Sequence, residues 1–235
     1  MSWNRTTKWA AAQEETVRLP YADRAEAGRV LAARLARMAL DGAVVLALPR
    51  GGVPVGFEVA RRLGSPLDVL VTRKIGFPPQ PELGVGAIAE GGDPVFDRGL
   101  LDRLGLTEDD MAATVRAERA ELDRRVAAYR GGRGLPDIAG RAVVVVDDGL
   151  ATGGTARAAV RATRGRGPSR LVLAVPVGAE DTVRSLAAEV DDLVVPAAPW
   201  DFRAVGQWYR DFDQLTDRDV TGWLERAGNG RGEFG

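Results

Sequence analysis

The run Val143 to Val146 leads directly into Asp147 and Asp148, and then into "GLATGGT". Four consecutive β-branched residues favour a strand over a helix and leave it no polar face, so the strand must be covered on both sides. Such strands belong to parallel sheets sandwiched between helices, and the charges that follow mark the edge where the sheet ends. The two glycines and two threonines behind them aim a flexible, hydroxyl-rich loop at something outside the sheet.

The rest of the chain follows the same alternation. Residues 23 to 40 place Val30, Leu31, Leu35 and Met38 at helical spacing behind an Asp23 cap, and "GAVVLAL" reads as a short buried strand. "PRGGVPVG" reads as a loop, "FEVARRLG" as a helix stopped by Gly64, and "PLDVLVTRK" as one further strand. The Pro- and Gly-rich residues 76 to 99 are expected to form a mobile excursion around one strand at "LGVGAIAE". Residues 107 to 129 form a helix capped by Thr107, with Met111, Val115, Leu122, Val126 and Tyr129 along one side. After the valine run come a helix from about Thr155, the strand "RLVLAVPV", a helix over "EDTVRSLAAEV" and the strand "DLVVP". The expected fold is therefore α/β, an open parallel sheet with helices on both faces. We expect one domain over residues 21 to 227, an extension over 1 to 20 containing Trp3 and Trp9, and a disordered tail over 228 to 235. Ligands of such sheets bind beyond the carboxyl ends of the strands, near the point where strand order reverses.

Composition narrows the chemistry. The chain has neither cysteine nor histidine, which removes thiolate nucleophiles, Ser-His dyads and imidazole metal ligands and leaves only hard, oxygen-bound metals. The net charge is −1, with both signs interspersed, so nucleic acid is not an expected partner. No apolar run reaches the length of a signal peptide core or a membrane span, and the expected location is the cytoplasm. Lys74 stands out because Lys8 is the only other lysine against 30 arginines.

Residues Ala151, Thr152, Gly153, Gly154 and Thr155 fall between a strand and the first turn of a helix, where backbone amides and the helix dipole favour a phosphate. Asp147 and Asp148 can only accept hydrogen bonds when ionised and would repel that phosphate, so they suit hydroxyl groups or a cation. Ribose 5-phosphate, with a phosphate at one end and vicinal hydroxyls nearby, meets both requirements. No lysine follows the glycines as a Walker A loop requires, and no G-x-G-x-x-G follows the first strand.

These residues carry a resemblance. "VVVVDDGLATGGT" resembles the phosphoribosyl-pyrophosphate (PRPP) motif of type I phosphoribosyltransferases, and "LPRGGVPVG", "TRKIG", "PELGVGAIAEGG" and "VGQWYRDFDQ" extend the likeness to a bacterial group of that family over roughly residues 25 to 220. The resemblance implies that Asp147 and Asp148 bind the ribose hydroxyls and that Ala151 to Thr155 wrap the 5-phosphate. It implies that Arg50, Gly51 and Gly52 hold pyrophosphate with Lys74, and that Arg50, Lys74 and Asp148 are the catalytic residues. Mg²⁺ bound mainly through PRPP, a homodimer, and a flexible catalytic loop over about 76 to 99 are implied as well. A hood over about 196 to 215 would take a small-molecule acceptor, with Trp200, Phe202 and Tyr209, and Trp208 beside them, able to stack on a flat ring. Ala151 stands where members acting on 6-oxopurines usually carry an aspartate, which disfavours hypoxanthine or guanine. Glu82, Glu90 and Asp148 are the candidate general bases. Seven aspartates against three arginines over residues 191 to 219 keep open a cationic, aminoglycoside-like acceptor. A regulator that binds PRPP or a nucleotide without transfer is a further alternative.

Overall fold

A computed structural model describes residues 17–229. Helix α1 (Arg24–Leu35) starts at the expected cap, where Asp23 Oδ1 accepts from the Glu26 amide at 2.7 Å. Strand β1 (Val44–Ala47) and helix α2 (Gly52–Leu63) follow. The helix begins four residues from the strand, so most of the stretch expected to be a loop is helical. Gly64 ends it in the left-handed conformation, as glycine does at a helix terminus.

The expected strand "PLDVLVTRK" divides into β2 (Leu67–Val69) and β3 (Thr72–Phe77), which lie in different sheets. The buried Arg130 donates from Nη1 to the Val69 carbonyl at 3.1 Å, which closes the first strand and lets the chain leave the sheet. Strand β3 pairs antiparallel with β4 (Gln80–Ala89), and β4 with β5 (Val95–Phe96). The Pro- and Gly-rich stretch expected to be irregular is thus a three-stranded hairpin sheet. Its prolines misled because Pro81 falls where the pairing register shifts, a place that does not need its missing amide.

Helix α3 (Arg98–Leu104) leads through a 3-10 turn at Asp109–Met111 to the long helix α4 (Ala112–Arg130). Thr107 and Asp110 cap that turn reciprocally, and Met111, Leu122 and Tyr129 are buried on the expected face. Then come β6 (Ala142–Val146), α5 (Gly154–Arg164), β7 (Arg170–Ala174), α6 (Glu180–Leu186) and β8 (Asp192–Val194). The hood segment contains a 3-10 turn at Val205–Trp208, and helix α7 (Asp217–Asn229) follows it. Helix α7 is not expected from the sequence pattern, although Thr216 and Asp219 form the same reciprocal cap. Residues 1 to 16, with Trp3 and Trp9, and residues 230 to 235 lie outside the described residues.

The main sheet is parallel throughout, in the order β2-β1-β6-β7-β8. All four valines of β6 are fully buried. Val144 and Val146 join the core beneath α1, α2 and α7, whereas Val143 and Val145 join the core beneath α5 and α6. At about 1.5 kcal/mol or more for each fully buried side chain, the run contributes roughly 6 kcal/mol of transfer free energy and fixes the central strand. From β1 the chain winds outward to β2, and from β6 it winds the other way to β7 and β8. The reversal lies between the carboxyl ends of β1 and β6, where the sequences Arg50-Gly51-Gly52 and Asp147-Asp148 emerge side by side.

Candidate active site

The two loops at the reversal point touch. A β-carbon built on Gly51 would lie 1.8 Å from Asp148 Oδ2, and one on Gly52 would lie 2.7 Å from the Val146 carbonyl oxygen. Only glycine lets the β1 loop pass so close to the carboxylate. The Pro49–Arg50 peptide is cis.

Asp148 Oδ2 accepts from Arg24 Nε at 2.9 Å, and its side chain is 14 % exposed. Desolvation nevertheless raises its pKa, the Arg24 cation opposing the rise. Burial raises Asp147 well above the usual carboxylate range, and the neighbouring Asp148 charge pushes the same way. Two acids held in this state gain from hydroxyl donors or a cation, either of which favours the ionised form. Among the described residues no group of three or more acidic side chains could cage a metal ion. Two hard carboxylates do suit Mg²⁺ that keeps most of its bonds to waters and substrate oxygens, the habit of that ion.

The sign of the pH effect follows. Because Asp147 holds its proton more tightly folded than unfolded, folding binds protons, and the pair's contribution to stability falls as pH rises from the ordinary value of 3.8 towards the raised folded value. Asp147→Asn should therefore unfold at higher denaturant concentration than the parent, and its advantage should grow with pH across that window. Chemical denaturation of both proteins at several pH values measures this. An advantage that shrank with rising pH would contradict the assignment.

Gly153 caps α5 with φ +75°, and Ala151 and Thr152 are exposed ahead of it. Thr182 Oγ1 donates to the Ala151 carbonyl at 2.6 Å and fixes the loop from behind. Thr152, Gly154 and Thr155 line one wall of a cavity of about 820 Å³, and Lys74, Glu82 and Arg98 line it from the hairpin side and α3. The structure thus brings Lys74 and the candidate phosphate loop to one space. Lys74 Nζ donates to the Glu82 carbonyl oxygen.

Arg50 is turned towards the start of α7. It donates to the Leu215 carbonyl, and its Nε lies 3.4 Å from Asp217 Oδ1. Asp217 also accepts from Tyr129 Oη at 2.5 Å, and this bond holds the Asp217 pKa below its ordinary value. Burial, followed by Asp217, pushes the Tyr129 hydroxyl up to about 12.

The acceptor candidates separate. Trp200 is 92 % exposed. Phe202 lies against Trp208, with ring centroids 6.3 Å apart and an interplanar angle of 26°. Tyr209 departs from expectation: it is 6 % exposed, its ring lies between Phe212 at 5.0 Å and Tyr21 at 5.6 Å, and its hydroxyl donates to the Asp148 carbonyl at 2.5 Å. At this degree of burial Tyr209 builds the floor of the hood and offers no stacking platform. Among the candidate bases, Glu90 is paired with the buried Arg130, which removes it from the reckoning, whereas Glu82 faces the cavity.

Sequence reasoning missed Arg24, Tyr129 and Asp217. Of these only Asp217 carried a local signal, since it lies in the first turn of a capped helix where acids concentrate.

This chain belongs to the phosphoribosyl transferase domain family, whose model matches residues 24–206. It is 49% identical over 205 residues to two Mycobacterium tuberculosis proteins, "Putative phosphoribosyl transferase MT0597" from strain CDC 1551 / Oshkosh and "Putative phosphoribosyl transferase Rv0571c" from strain ATCC 25618 / H37Rv. The match covers 87% of this chain and 46% of each relative, so the chain spans about half the length of the curated relatives it matches. The crystal structure of TT1426 from Thermus thermophilus is 42% identical, with a TM-score of 0.76 over 88% of this chain and 99% of that one. The α/β fold with its parallel sheet is thus that of type I phosphoribosyltransferases, and no helix among the described residues is long and apolar enough to cross a membrane.

Proposed function

We propose that the chain transfers a 5-phosphoribosyl group from PRPP to a nucleophilic small molecule and releases pyrophosphate. The observation that carries this reading is the convergence, at the reversal point of the sheet, of a partly buried carboxylate pair with a glycine-opened loop on one side and a helix N-terminus on the other. Asp147 and Asp148 accept from the ribose hydroxyls, and the amides of Gly153 to Thr155 hold the 5-phosphate. Gly51 supplies its amide to pyrophosphate, Gly52, whose own amide donates to the Leu48 carbonyl at 3.0 Å, keeps the loop close beside it, and Arg50 joins by exchanging its contacts with Leu215 and Asp217 for the ligand. Mg²⁺ would be held mainly by PRPP oxygens, with Asp147 and Asp148 the nearest hard carboxylates, and would supply neutralisation of the leaving-group charge.

In the transfer the bond between C1 of the ribose and the pyrophosphate oxygen breaks, and its electron pair leaves with pyrophosphate. A lone pair of the acceptor forms the new bond to C1, and the acceptor's proton passes to a carboxylate, for which Glu82 is the candidate with access to the cavity. The enzyme must stabilise the leaving charge without quenching the cationic sugar, so Lys74 acts on the pyrophosphate side. Of the stretch 76 to 99, whose Val85 and Ala87 to Ala89 are held in the core, the exposed tip of the hairpin around residues 78 to 82 is proposed to close on PRPP and exclude water. The reading includes a cytoplasmic homodimer.

The acceptor is met by the exposed face of Trp200. With Tyr209 buried, Trp200 is the strongly exposed ring of a hood segment whose Asp211 and Asp213 are also exposed, and this supports a second reading in which the acceptor is a cationic, hydroxyl-bearing molecule in place of a nucleobase. Pyrophosphate release from PRPP, assayed with bases, amines and alcohols as acceptors, separates the two. Binding of PRPP with no turnover on any acceptor would favour a regulator.

Lys74→Ala should lower kcat about a hundred-fold while changing the KM for PRPP only a few-fold, because the lost cation acts on charge that develops during bond breaking. A loss confined to the KM of the acceptor would contradict its place on the leaving-group side.

A further inference from the structure

Asp148 is fastened twice to the segments that overlie it. Its Oδ2 accepts from Arg24 Nε at 2.9 Å, and its backbone carbonyl accepts from Tyr209 Oη at 2.5 Å. The Arg24 guanidinium lies over the Phe212 ring, 3.8 Å from its centroid, and Phe212 stacks on Tyr209 at an interplanar angle of 29°. Nη1 of the same guanidinium donates to the Asp213 carbonyl at 3.0 Å. Carboxylate, guanidinium, two stacked rings and a backbone carbonyl therefore close a ring that begins and ends on one residue.

The geometry selects a role. Arg24 is only 12 % exposed on its side chain, so its charge is costly unless paired, and Asp148 is the acid that pairs it. It grips one oxygen through Nε and commits Nη1 to the hood, in place of taking both carboxylate oxygens in a fork. Oδ1 of Asp148 meets no side-chain donor among the described residues. We infer that Arg24 is a positioning residue for ribose recognition: it locks the carboxylate by Oδ2 and leaves Oδ1 as a fixed acceptor for the sugar hydroxyls. The inference rests on the PRPP reading and adds to it a residue that the motif does not contain. It also ties the hood to the sugar site, since the guanidinium that fixes Asp148 also holds Asp213.

Calorimetric titration of the 235-residue chain with PRPP and Mg²⁺, and separately with pyrophosphate and Mg²⁺, tests this in the parent, Arg24→Ala and Arg24→Lys. Arg24→Ala should weaken PRPP about tenfold or more, the worth of one charge-assisted hydrogen bond, and leave pyrophosphate binding within twofold. Millimolar methylguanidinium should restore part of the loss in Arg24→Ala, and Arg24→Lys, a point charge without the planar fork, should fall between. If Arg24→Ala does not fold, Arg24→Lys carries the same comparison. PRPP binding equal to or tighter than the parent's overturns the inference, because the arginine would then be idle or a blocker. Equal losses for PRPP and pyrophosphate without rescue also overturn it, since they mark a purely structural role. A parent that binds pyrophosphate but not PRPP overturns the PRPP reading itself, and the inference with it.

Discussion

Asp148→Asn is expected to weaken PRPP use about a hundred-fold and leave the fold intact. The carboxylate is the proposed acceptor for the sugar hydroxyls, and exchanging its charge for an amide would forfeit about 3 kcal/mol of charge-assisted hydrogen bonding. Stability should change little, because relief of the desolvated carboxylate is opposed by loss of the charge that pairs the nearly buried Arg24. Desolvation raises the Asp148 pKa despite the Arg24 cation, so the ionised side chain is under strain in the folded protein, and an amide oxygen can still accept from Arg24 Nε. Steady-state kinetics and a thermal melt on one preparation give both numbers. Unchanged kinetics would remove Asp148 from the sugar site. A fall of many degrees in Tm would recast it as a structural residue.

The second large effect concerns two adjacent glycines with different neighbours. In Gly51→Ala the new methyl meets the Asp148 carboxylate at 1.8 Å from Oδ2, and a side chain can swing away from such a clash. The cost falls on ligand binding, because the carboxylate leaves its place between the β1 loop and Arg24. In Gly52→Ala the methyl meets backbone, the Val146 carbonyl oxygen at 2.7 Å and the Asp147 Cα at 2.9 Å. Strand β6 cannot move without disturbing both cores, so the cost falls on stability, with overpacking worth about 1 to 3 kcal/mol. We therefore expect Gly51→Ala to lose PRPP affinity about a hundred-fold with a near-parental Tm, and Gly52→Ala to lower the Tm by several degrees. Denaturant melts paired with PRPP titrations decide the matter, and the reverse assignment of losses would show that the carboxylate does not lie against Gly51.

Much of this was legible in the chain because it depends on short-range rules. An all-valine strand can only be central, charges after it can only be at its end, and a Gly/Thr loop before a helix can only expose amides. The reversal point was legible as a rule and located only by the strand order, which periodicity does not encode. Arg24 was illegible for a related reason. Helical spacing shows that it starts an amphipathic helix, but its partner lies 124 residues away, and a pairing over that distance leaves no mark in one sequence. Aromatic residues in a polar segment suggest a stacking platform, which is why the sequence points to Tyr209 as one. Its burial between Tyr21 and Phe212 depends on the parallel bridge between Tyr21 and Tyr209, a long-range contact again. The hairpin was lost to a local rule applied too strictly, since Pro81 breaks a strand only where its amide is needed. Helix α7 is masked in the sequence by its run of aspartates, although Thr216 and Asp219 carry the spacing of a helix cap.

The central claim is that the carboxylate pair and the phosphate loop hold the two ends of one ligand. Calorimetric titration of the chain with PRPP, ribose 5-phosphate and pyrophosphate in the presence of Mg²⁺ tests it most directly. PRPP is expected to bind with a dissociation constant below about 1 mM, in the range of ordinary substrates, more tightly than either fragment, and Asp148→Asn is expected to lose affinity for PRPP and ribose 5-phosphate but keep it for pyrophosphate. Absence of PRPP binding at millimolar concentration, or an Asp148→Asn variant that binds all three as the parent does, would contradict it.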